Sequence, residues 1–372
     1  MANHITHDPI YNTVDRDDFP ALLEVDRYNE RTDAFDDIIA KTHDHFWDPC
    51  DARYIDYQEP FDLSEEHVMP AEFAPELGTA VADKLDDGQK LLLANEVTHW
   101  QLSNILHGEQ GALSLSASLC HVLRDPGAME YAANQTREEA RHVTAFSRYI
   151  ESRWGRALPA GNTLSTILSE MIAAPEVYKK LVGMQMLVEG LAMGAFATFH
   201  MKAKDPVLRR VVQLVMTDEA FHHKFGKIWA DRTVPKLTEE EHEKVEAWAA
   251  QCFEHLLFNL VNAEQKKVIY AQFGLDWQWV QSAVAEAFTD ESRRSMMSES
   301  TNVFRVLIKT LLNAGIITER TRPIYATWVD MEELAAEGDT MCGEPIAEEG
   351  IEFLKEVNAE RKPMGRTGMI SS

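Results

Sequence analysis

Apolar positions recur at steps of three and four residues along most of the chain, which is the spacing of one buried face of an α-helix. This pattern predicts an all-α fold, with no strand-like alternation of consequence. Four long helices are predicted at about 89–123, 126–154, 176–203 and 207–230, with a short helical crossover at 163–175. Asp125-Pro126 separates the first two, because Asp caps a helix and Pro suits the first turn.

The four long helices form a predicted central unit at 86–232, a four-helix bundle. Residues 1–85 are rich in Asp, Pro and aromatic residues with weak periodicity, so we expect an irregular segment with short helices that wraps the core. Residues 233–330 predict a helical extension packed on the bundle, with helices at about 237–262, 263–273, 276–288 and 292–314. The C-terminal tail, 331–372, is acidic and contains glycine, a composition typical of partial disorder.

The composition of the chain indicates which kinds of partner and which cellular compartment to expect. The 372 residues are 45% hydrophobic, yet we identify no apolar run near the ~20 residues that span a bilayer, which predicts a soluble protein without a membrane partner. Lys and Arg number 36 against 61 Asp and Glu, a net charge of −25 that would repel a nucleic acid. The four Cys residues show no CxxC spacing, and the segment from Met1 to Pro20 lacks an apolar signal-peptide core. We expect a cytoplasmic protein.

Two stretches, one beginning at Glu109 and the other at Glu189, carry the same arrangement of acidic residues, proline and histidine. In each copy the leading Glu is followed by Asp-Pro and then by a block ending in His, and the offsets are identical in the two copies. The copies are Glu109, Asp125-Pro126 and Glu138-Glu139-Ala140-Arg141-His142, then Glu189, Asp205-Pro206 and Asp218-Glu219-Ala220-Phe221-His222. Four carboxylates and two imidazoles in a pseudo-twofold repeat are the ligand set of a carboxylate-bridged dinuclear metal centre in a four-helix bundle.

Helix geometry places these candidate ligands at one height. At ~1.5 Å per residue, the chain climbs about 24 Å from Glu109 to Asp125 and descends about 20 Å on an antiparallel helix to Glu139. His142 follows Glu139 by one turn, so both side chains leave the same helix face. The same arithmetic applies in the second copy to Glu189, Glu219 and His222. Bound cations would also explain how a core tolerates four carboxylates.

Two acidic residues stand one position before a ligand Glu and have two interpretations. Glu138 and Asp218 are either surface charges or partners of the outer histidine nitrogens, whose hydrogen bonds fix the tautomer of a metal-bound ring. In the second interpretation Asp218 serves His142 and Glu138 serves His222.

Other polar and apolar residues near the repeat are less specific. Glu96-x-x-His99 has ligand-like spacing but lies roughly 20 Å along the helix from Glu109, too far to share a centre. His223 is expected outside the ligand set, because it lies ~100° around the helix from His222. The small and flexible residues near Glu189 are either plain core or the wall of an apolar substrate cavity. The residues assigned to that pocket are Met193, Gly190 and Phe146.

Over about residues 89–230 the chain resembles the ferritin-like di-iron carboxylate superfamily. The motifs that carry the likeness are Gly108-Glu109-Gln110, Glu138-Glu139-Ala140-Arg141-His142, Glu189-Gly190 and Asp218-Glu219-Ala220-Phe221-His222. They are similar to those of O2-activating members: bacterial multicomponent monooxygenases, acyl-carrier-protein desaturases, arylamine N-oxygenases and the ribonucleotide reductase small subunit. The branch stays open, because the chain has Phe146 at the usual radical-tyrosine position, Met193 at the monooxygenase threonine and Val215 at the third histidine of N-oxygenases.

The resemblance implies two iron ions, with manganese as an alternative at one or both positions. Glu139 and Glu219 would bridge them, Glu109 and Glu189 would be terminal, and His142 and His222 would each bind one ion; the four Glu residues would be the catalytic carboxylates. The implied activity is that of an oxygenase, which uses O2 to hydroxylate, desaturate or N-oxygenate a small, partly apolar substrate. Homodimers are common among similar proteins, and we expect one.

An external electron donor, a ferredoxin or a flavoprotein reductase, is implied, because the chain has no GxGxxG after a strand and no Fe–S cysteine cluster. Two other functions fit the ligand set: a ferroxidase that handles iron, and a protein like the ribonucleotide reductase small subunit, which Phe146 disfavours. A metal-free scaffold subunit is a further alternative, against which the complete ligand set argues.

Overall fold

The computed structural model describes residues 11–287, 302–337 and 343–359. Within these ranges the regular elements are helices, and extended pairing is limited to one isolated bridge between Thr13 and Leu123. The all-α prediction is therefore confirmed.

The α-helices are short in the N-terminal segment and long in the centre of the chain. In chain order they are α1 (Phe19–Leu22), α2 (Asp36–Asp44), α3 (Asp87–Leu119), α4 (Pro126–Trp154), α5 (Asn162–Ala173), α6 (Val177–Lys202), α7 (Pro206–Thr233), α8 (Glu239–Val261), α9 (Lys267–Gln272), α10 (Trp277–Ala287), α11 (Val303–Asn313), α12 (Arg322–Ala326), α13 (Met331–Ala336) and α14 (Glu344–Ala359). The first part of the helix predicted at 292–314 lies outside the described residues.

The long helices pack in pairs, α3 along α4 and α6 along α7, and α4 also contacts α7. Each pair has a short connection with its own stop and start signals. Asp125 accepts a hydrogen bond from Gly127 N at 2.8 Å, and Asp205 accepts one from Val207 N at 2.9 Å, so both Asp-Pro pairs start a helix. Helix α4 ends at Gly155, whose φ of 77° lies in the left-handed region that favours glycine.

Helix α6 is interrupted by a π-helical segment at Leu181–Val188, directly before Glu189. The sequence predicts an unbroken α-helix here, because all its apolar residues satisfy a helical period and periodicity does not distinguish α from π pairing. Gly183 lies at the contact with α5 and α8, where a Cβ would clash with the Met171 sulfur. A π segment commonly marks a functional site in a helix.

The apolar character of α6 was underestimated from the sequence. Val177–Lys202 contains an 18-residue window with a mean hydropathy of 1.4, which by length and composition is enough to cross a membrane. In the structure 72% of that window is buried inside the protein, as in the core helix of a soluble protein.

A second layer of helices covers the central ones. Helix α11 lies on α6, α2 contacts α4 and α7, and α8 contacts α5 and the π segment. The described part of the acidic tail is helical rather than irregular: α14 packs along α7 and buries Ile346, Ala347, Gly350 and Leu354. These residues recur at helical spacing, which outweighs the acidic composition on the outer face. Residues 360–372 of the tail lie outside the described range.

Glu246 of α8 binds the turn that follows α11, the helix that packs on α6. It accepts hydrogen bonds from Thr318 N (2.9 Å), from the Thr321 hydroxyl (2.6 Å) and from Arg320 Nε (3.0 Å). Burial opposes ionisation, but the hydrogen bonds from Thr318 and Thr321 overcome it and lower the pKa of Glu246 to about 2.

We expect Glu246→Gln to lower the free energy of unfolding by about 2 kcal/mol, because several charge-assisted hydrogen bonds become neutral or are lost. Since the folded-state pKa lies below the ordinary 4.5, this contribution is present above pH 4.5 and is lost as the pH falls towards 2. Urea unfolding at pH 7 and at pH 4 measures both effects. Glu240→Gln, which removes an exposed contact with Lys244 on the same helix, should leave stability nearly unchanged.

Candidate metal centre

Six side chains from four central helices meet in the interior. They are Glu109 of α3, Glu139 and His142 of α4, Glu189 of α6, and Glu219 and His222 of α7. Each is at most 5% exposed. Their ligand atoms form two overlapping groups, in each of which all atoms lie within 4.8 Å of one another. Glu139 and Glu219 belong to both groups; Glu109 and His142 complete the first position, and Glu189 and His222 the second.

Both histidines direct Nδ1 towards the carboxylates. His142 Nδ1 lies 3.3 Å from Glu109 Oε2, 3.3 Å from Glu139 Oε2 and 3.0 Å from Glu219 Oε1. His222 Nδ1 lies 3.1 Å from Glu139 Oε1 and 3.1 Å from Glu219 Oε2. The two oxygens of each shared carboxylate therefore face different histidines, as a bridging ligand requires.

The opposite ring nitrogens are held by the two acidic residues that precede the shared Glu residues. His142 Nε2 lies 2.9 Å from Asp218 Oδ2, and His222 Nε2 lies 3.0 Å from Glu138 Oε2. These contacts have the crossed arrangement that the repeat predicts. Each leaves Nδ1 as the nitrogen that faces the cluster.

Asp218 is at the centre of a buried network that sequence analysis missed. Trp47 Nε1 donates to Asp218 Oδ2 at 3.0 Å, and Arg141 donates through Nε at 3.0 Å and through a second guanidinium nitrogen. The Trp47 ring is stacked on His142, with centroids 6.0 Å apart and planes at 14°. The Arg141 guanidinium lies over the same Trp47 ring. The N-terminal segment thus reaches the centre through Trp47, which no spacing relates to the repeat.

Gln135, one helical turn before Glu139, is a second residue that sequence analysis missed. Its side-chain amide donates to Glu139 Oε1 at 3.0 Å and to Glu189 Oε1 at 3.2 Å. Its carbonyl accepts from Gln185 of the π segment at 3.0 Å. Only the i, i+4 relation to Glu139 was visible in the sequence, and many buried glutamines have such a neighbour.

The remaining candidates lie outside the cluster. His223 faces Thr310 of α11, 3.2 Å away, and burial lowers its pKa to about 4. Glu96 lies in the N-terminal half of α3, where its carboxylate is 3.5 Å from His99 Nδ1. The structure packs the three pocket residues against different neighbours: Gly190 against Thr310 and Leu307, Met193 against Gly343, and Phe146 against Phe196. Their role in a substrate pocket stays a prediction.

Burial and mutual repulsion divide the carboxylates of the metal-free protein into two kinds. Burial, followed by the charges of neighbouring Glu residues, raises the pKa of Glu109 to about 8 and that of Glu189 well above its usual value. Burial also opposes ionisation of Glu139 and Glu219, but the charge of His222 overcomes it and lowers both pKa values. Burial disfavours the charged imidazoles as well, yet the surrounding carboxylates raise the pKa of His142 and His222 well above 6.5.

The donor atoms fit a metal ion. Glu139 Oε2, Glu219 Oε1 and His142 Nδ1 are buried and make no hydrogen bond, although they lie close together. Carboxylate oxygens and imidazole nitrogens in this ratio suit iron and manganese, and a cation would remove the cost of burying the carboxylates. The buried Glu and His cluster can therefore hold a metal ion.

Cation uptake at pH 7 should release more than one proton per chain. The raised pKa values of Glu109, Glu189 and both imidazoles favour their protonated forms in the metal-free protein, and a metal ion must displace these protons to reach the donor atoms. Because these pKa values are raised, affinity should increase as the pH rises from 6 to 8. An anaerobic Mn²⁺ titration in weakly buffered solution with an indicator dye measures the protons. Uptake without proton release would contradict these charge states.

Comparisons of the chain with protein-family models, with curated proteins and with solved structures found no match. The interpretation of the centre therefore rests on its own residues and geometry.

Proposed function

We propose that the chain is a non-haem di-iron oxygenase of the ferritin-like type, which uses O2 to oxidise a small, partly apolar organic substrate. The observation that carries the proposal is the donor set: four carboxylates and two imidazoles, all buried, in two overlapping groups that share Glu139 and Glu219. A site of this kind, built from a Glu on each of two helices and Glu-x-x-His on each of two others, belongs to a four-helix bundle with a dinuclear centre.

The residues present would hold the two ions as follows. Glu109, His142, Glu189 and His222 would each supply a ligand atom to one position, and Glu139 and Glu219, which belong to both groups, would supply one to each. Iron bound there would supply the electrons for reduction of O2. The protein's own part is to orient the ligands through Asp218 and Glu138, to exclude water by burial and to hold the charge of the acidic cluster in place.

Electrons beyond those of the ferrous ions must come from another protein. A ferredoxin or a flavoprotein reductase is the partner class that we propose, since the sequence contains neither a dinucleotide fingerprint nor an Fe–S cysteine cluster. The hydroxylation, desaturation or N-oxygenation of the substrate depends on a pocket whose residues the ligand set does not identify.

The test is to load the metal-free protein with Fe²⁺ under nitrogen, to measure bound iron, and then to add O2 with a reductant. We expect two irons per chain and O2 consumption that requires bound iron. Failure to bind iron, or iron-loaded protein that consumes no O2, would contradict the proposal. Oxidation of many ferrous ions per chain without an organic substrate would instead favour the ferroxidase alternative.

A further inference from the structure

Gln135 bridges the side chains of Glu139 and Glu189. Its Nε2 donates to Glu139 Oε1 at 3.0 Å and to Glu189 Oε1 at 3.2 Å, and all three side chains are at most 2% exposed. One amide nitrogen carries two hydrogens, so both contacts can be made together. The amide therefore fixes the separation and the rotation of the two carboxylates.

Both oxygens bound by Gln135 belong to the second position. Glu139 Oε1 lies 3.1 Å from His222 Nδ1, whereas Glu139 Oε2 lies on the side of His142. Glu189 is a member of the second group alone. In the part of the chain that the structure describes, no side-chain amide donates to Glu109, the corresponding residue of the first position.

The side chain of Gln185 forms a hydrogen bond with that of Gln135. Its Nε2 donates to Gln135 Oε1 at 3.0 Å, which orients the Gln135 amide so that its nitrogen faces the carboxylates. Gln185 lies in the π segment, which ends at Val188, directly before Glu189. Its backbone is pressed against Gly226 of α7, where a Cβ would come within 3.1 Å of the Gln185 carbonyl oxygen. The π segment, α4 and α7 therefore fix the same pair of glutamines.

We propose that Gln135, oriented by Gln185, is a positioning residue for the second cation position and not for the first. The inference rests on the metal centre of the proposed function. The first position is formed by Glu109, His142 and the shared carboxylates, and Gln135 donates to neither Glu109 nor the Glu139 oxygen on that side. The second needs Glu189 and Glu139 Oε1 kept side by side. Loss of the amide lets these two carboxylates separate and affects the second position selectively.

The experiment is an anaerobic titration of metal-free protein with Mn²⁺, in which the electron paramagnetic resonance signal of free Mn²⁺ reports binding. Gln135→Met removes the amide at similar volume. We expect wild-type protein to bind two Mn²⁺. The variant should bind the ion at the second position 10- to 100-fold more weakly, as for other residues that orient metal ligands. The affinity for the ion at the first position should change less than about threefold. Gln185→Met should also weaken binding at the second position, by a smaller factor.

Gln213→Met is the matched control, because Gln213 lies on α7, accepts a hydrogen bond from Arg210 at 2.7 Å and makes no contact with the centre. It should bind both ions as wild type does. A purely structural role for Gln135 would weaken both positions alike, and that result, or unchanged binding of both ions, would overturn the inference. Wild-type protein that binds no Mn²⁺ or Fe²⁺ would instead overturn the metal centre itself.

Discussion

Replacing Glu139 by alanine should abolish tight binding at both cation positions at once. Glu139 presents one oxygen to each histidine, and its side chain belongs to both ligand groups. Residues that only orient ligands change affinity by 10- to 100-fold, so loss of a shared ligand should weaken both ions by more than about 100-fold. Iron-dependent O2 consumption should disappear with them. Glu219→Ala should give the same result, since Glu219 has the equivalent place in the repeat.

The control for this prediction is already in the chain. Glu96 and His99 have the same i, i+3 spacing as Glu139 and His142, but they lie in the N-terminal half of α3 and outside both ligand groups. Glu96→Ala should bind two ions with wild-type affinity. Metal analysis after anaerobic loading and gel filtration compares the variants. If Glu139→Ala retained two tightly bound ions, the shared carboxylate would not be a ligand and the arrangement of the centre would have to be redrawn.

The convergence of the six side chains could be predicted because it depends on helix geometry alone. Two helices joined by a capped Asp-Pro connection are antiparallel, so residues at matched distances from the connection meet. A second copy at the same offsets brings its own Glu and Glu-x-x-His to the same height. The helix α4, from Pro126 to Trp154, agrees with the predicted bounds for the same reason: its cap and its terminal glycine are both visible in the sequence.

What the sequence did not predict depends on contacts between distant segments. Trp47 lies 171 residues from Asp218, and only tertiary packing brings its indole to that carboxylate. The π segment before Glu189 is a change in hydrogen-bond pairing that leaves the apolar pattern unaltered. Gln135 is visible in the sequence but gains its meaning from Glu189 and Gln185, 54 and 50 residues away.

The assignment of Gly190, Met193 and Phe146 to a substrate pocket stays a prediction, and the neighbours of Gly190 show why a small residue alone does not decide it. Gly190 suggested open space beside Glu189, yet Thr310 and Leu307 of α11 pack at that point. A glycine in a core helix leaves room equally for a ligand or for another helix, and the sequence of α6 does not distinguish the two. The helices from α8 to α11 were predicted from the sequence; α12 to α14 and the faces on which these helices dock were not.

The second large effect concerns Asp218, whose replacement by alanine should destabilise the metal-free protein by about 3–5 kcal/mol, as expected when one partner of a buried ion pair is removed. The buried carboxylate accepts from Trp47, His142 and Arg141, and its loss deprives the Arg141 guanidinium of its closest counter-charge. Burial opposes ionisation of Asp218, but Arg141 and His142 overcome it and lower its pKa to about 2. The contribution is therefore complete above the ordinary pKa of 3.8 and is lost as the pH falls towards 2.

Urea unfolding of the metal-free wild type and variant at pH 7 and pH 4 measures this difference, which should be nearly the same at both values. Asp231→Ala provides the control on the same helix, because Asp231 is exposed and pairs with Lys227 at 3.1 Å; it should cost less than about 0.5 kcal/mol. The cation at the first position should also bind 10- to 100-fold more weakly to Asp218→Ala, because His142 loses the partner that fixes its outer nitrogen. A variant that lost stability but kept full affinity would show that Asp218 serves Arg141 and Trp47 rather than the centre.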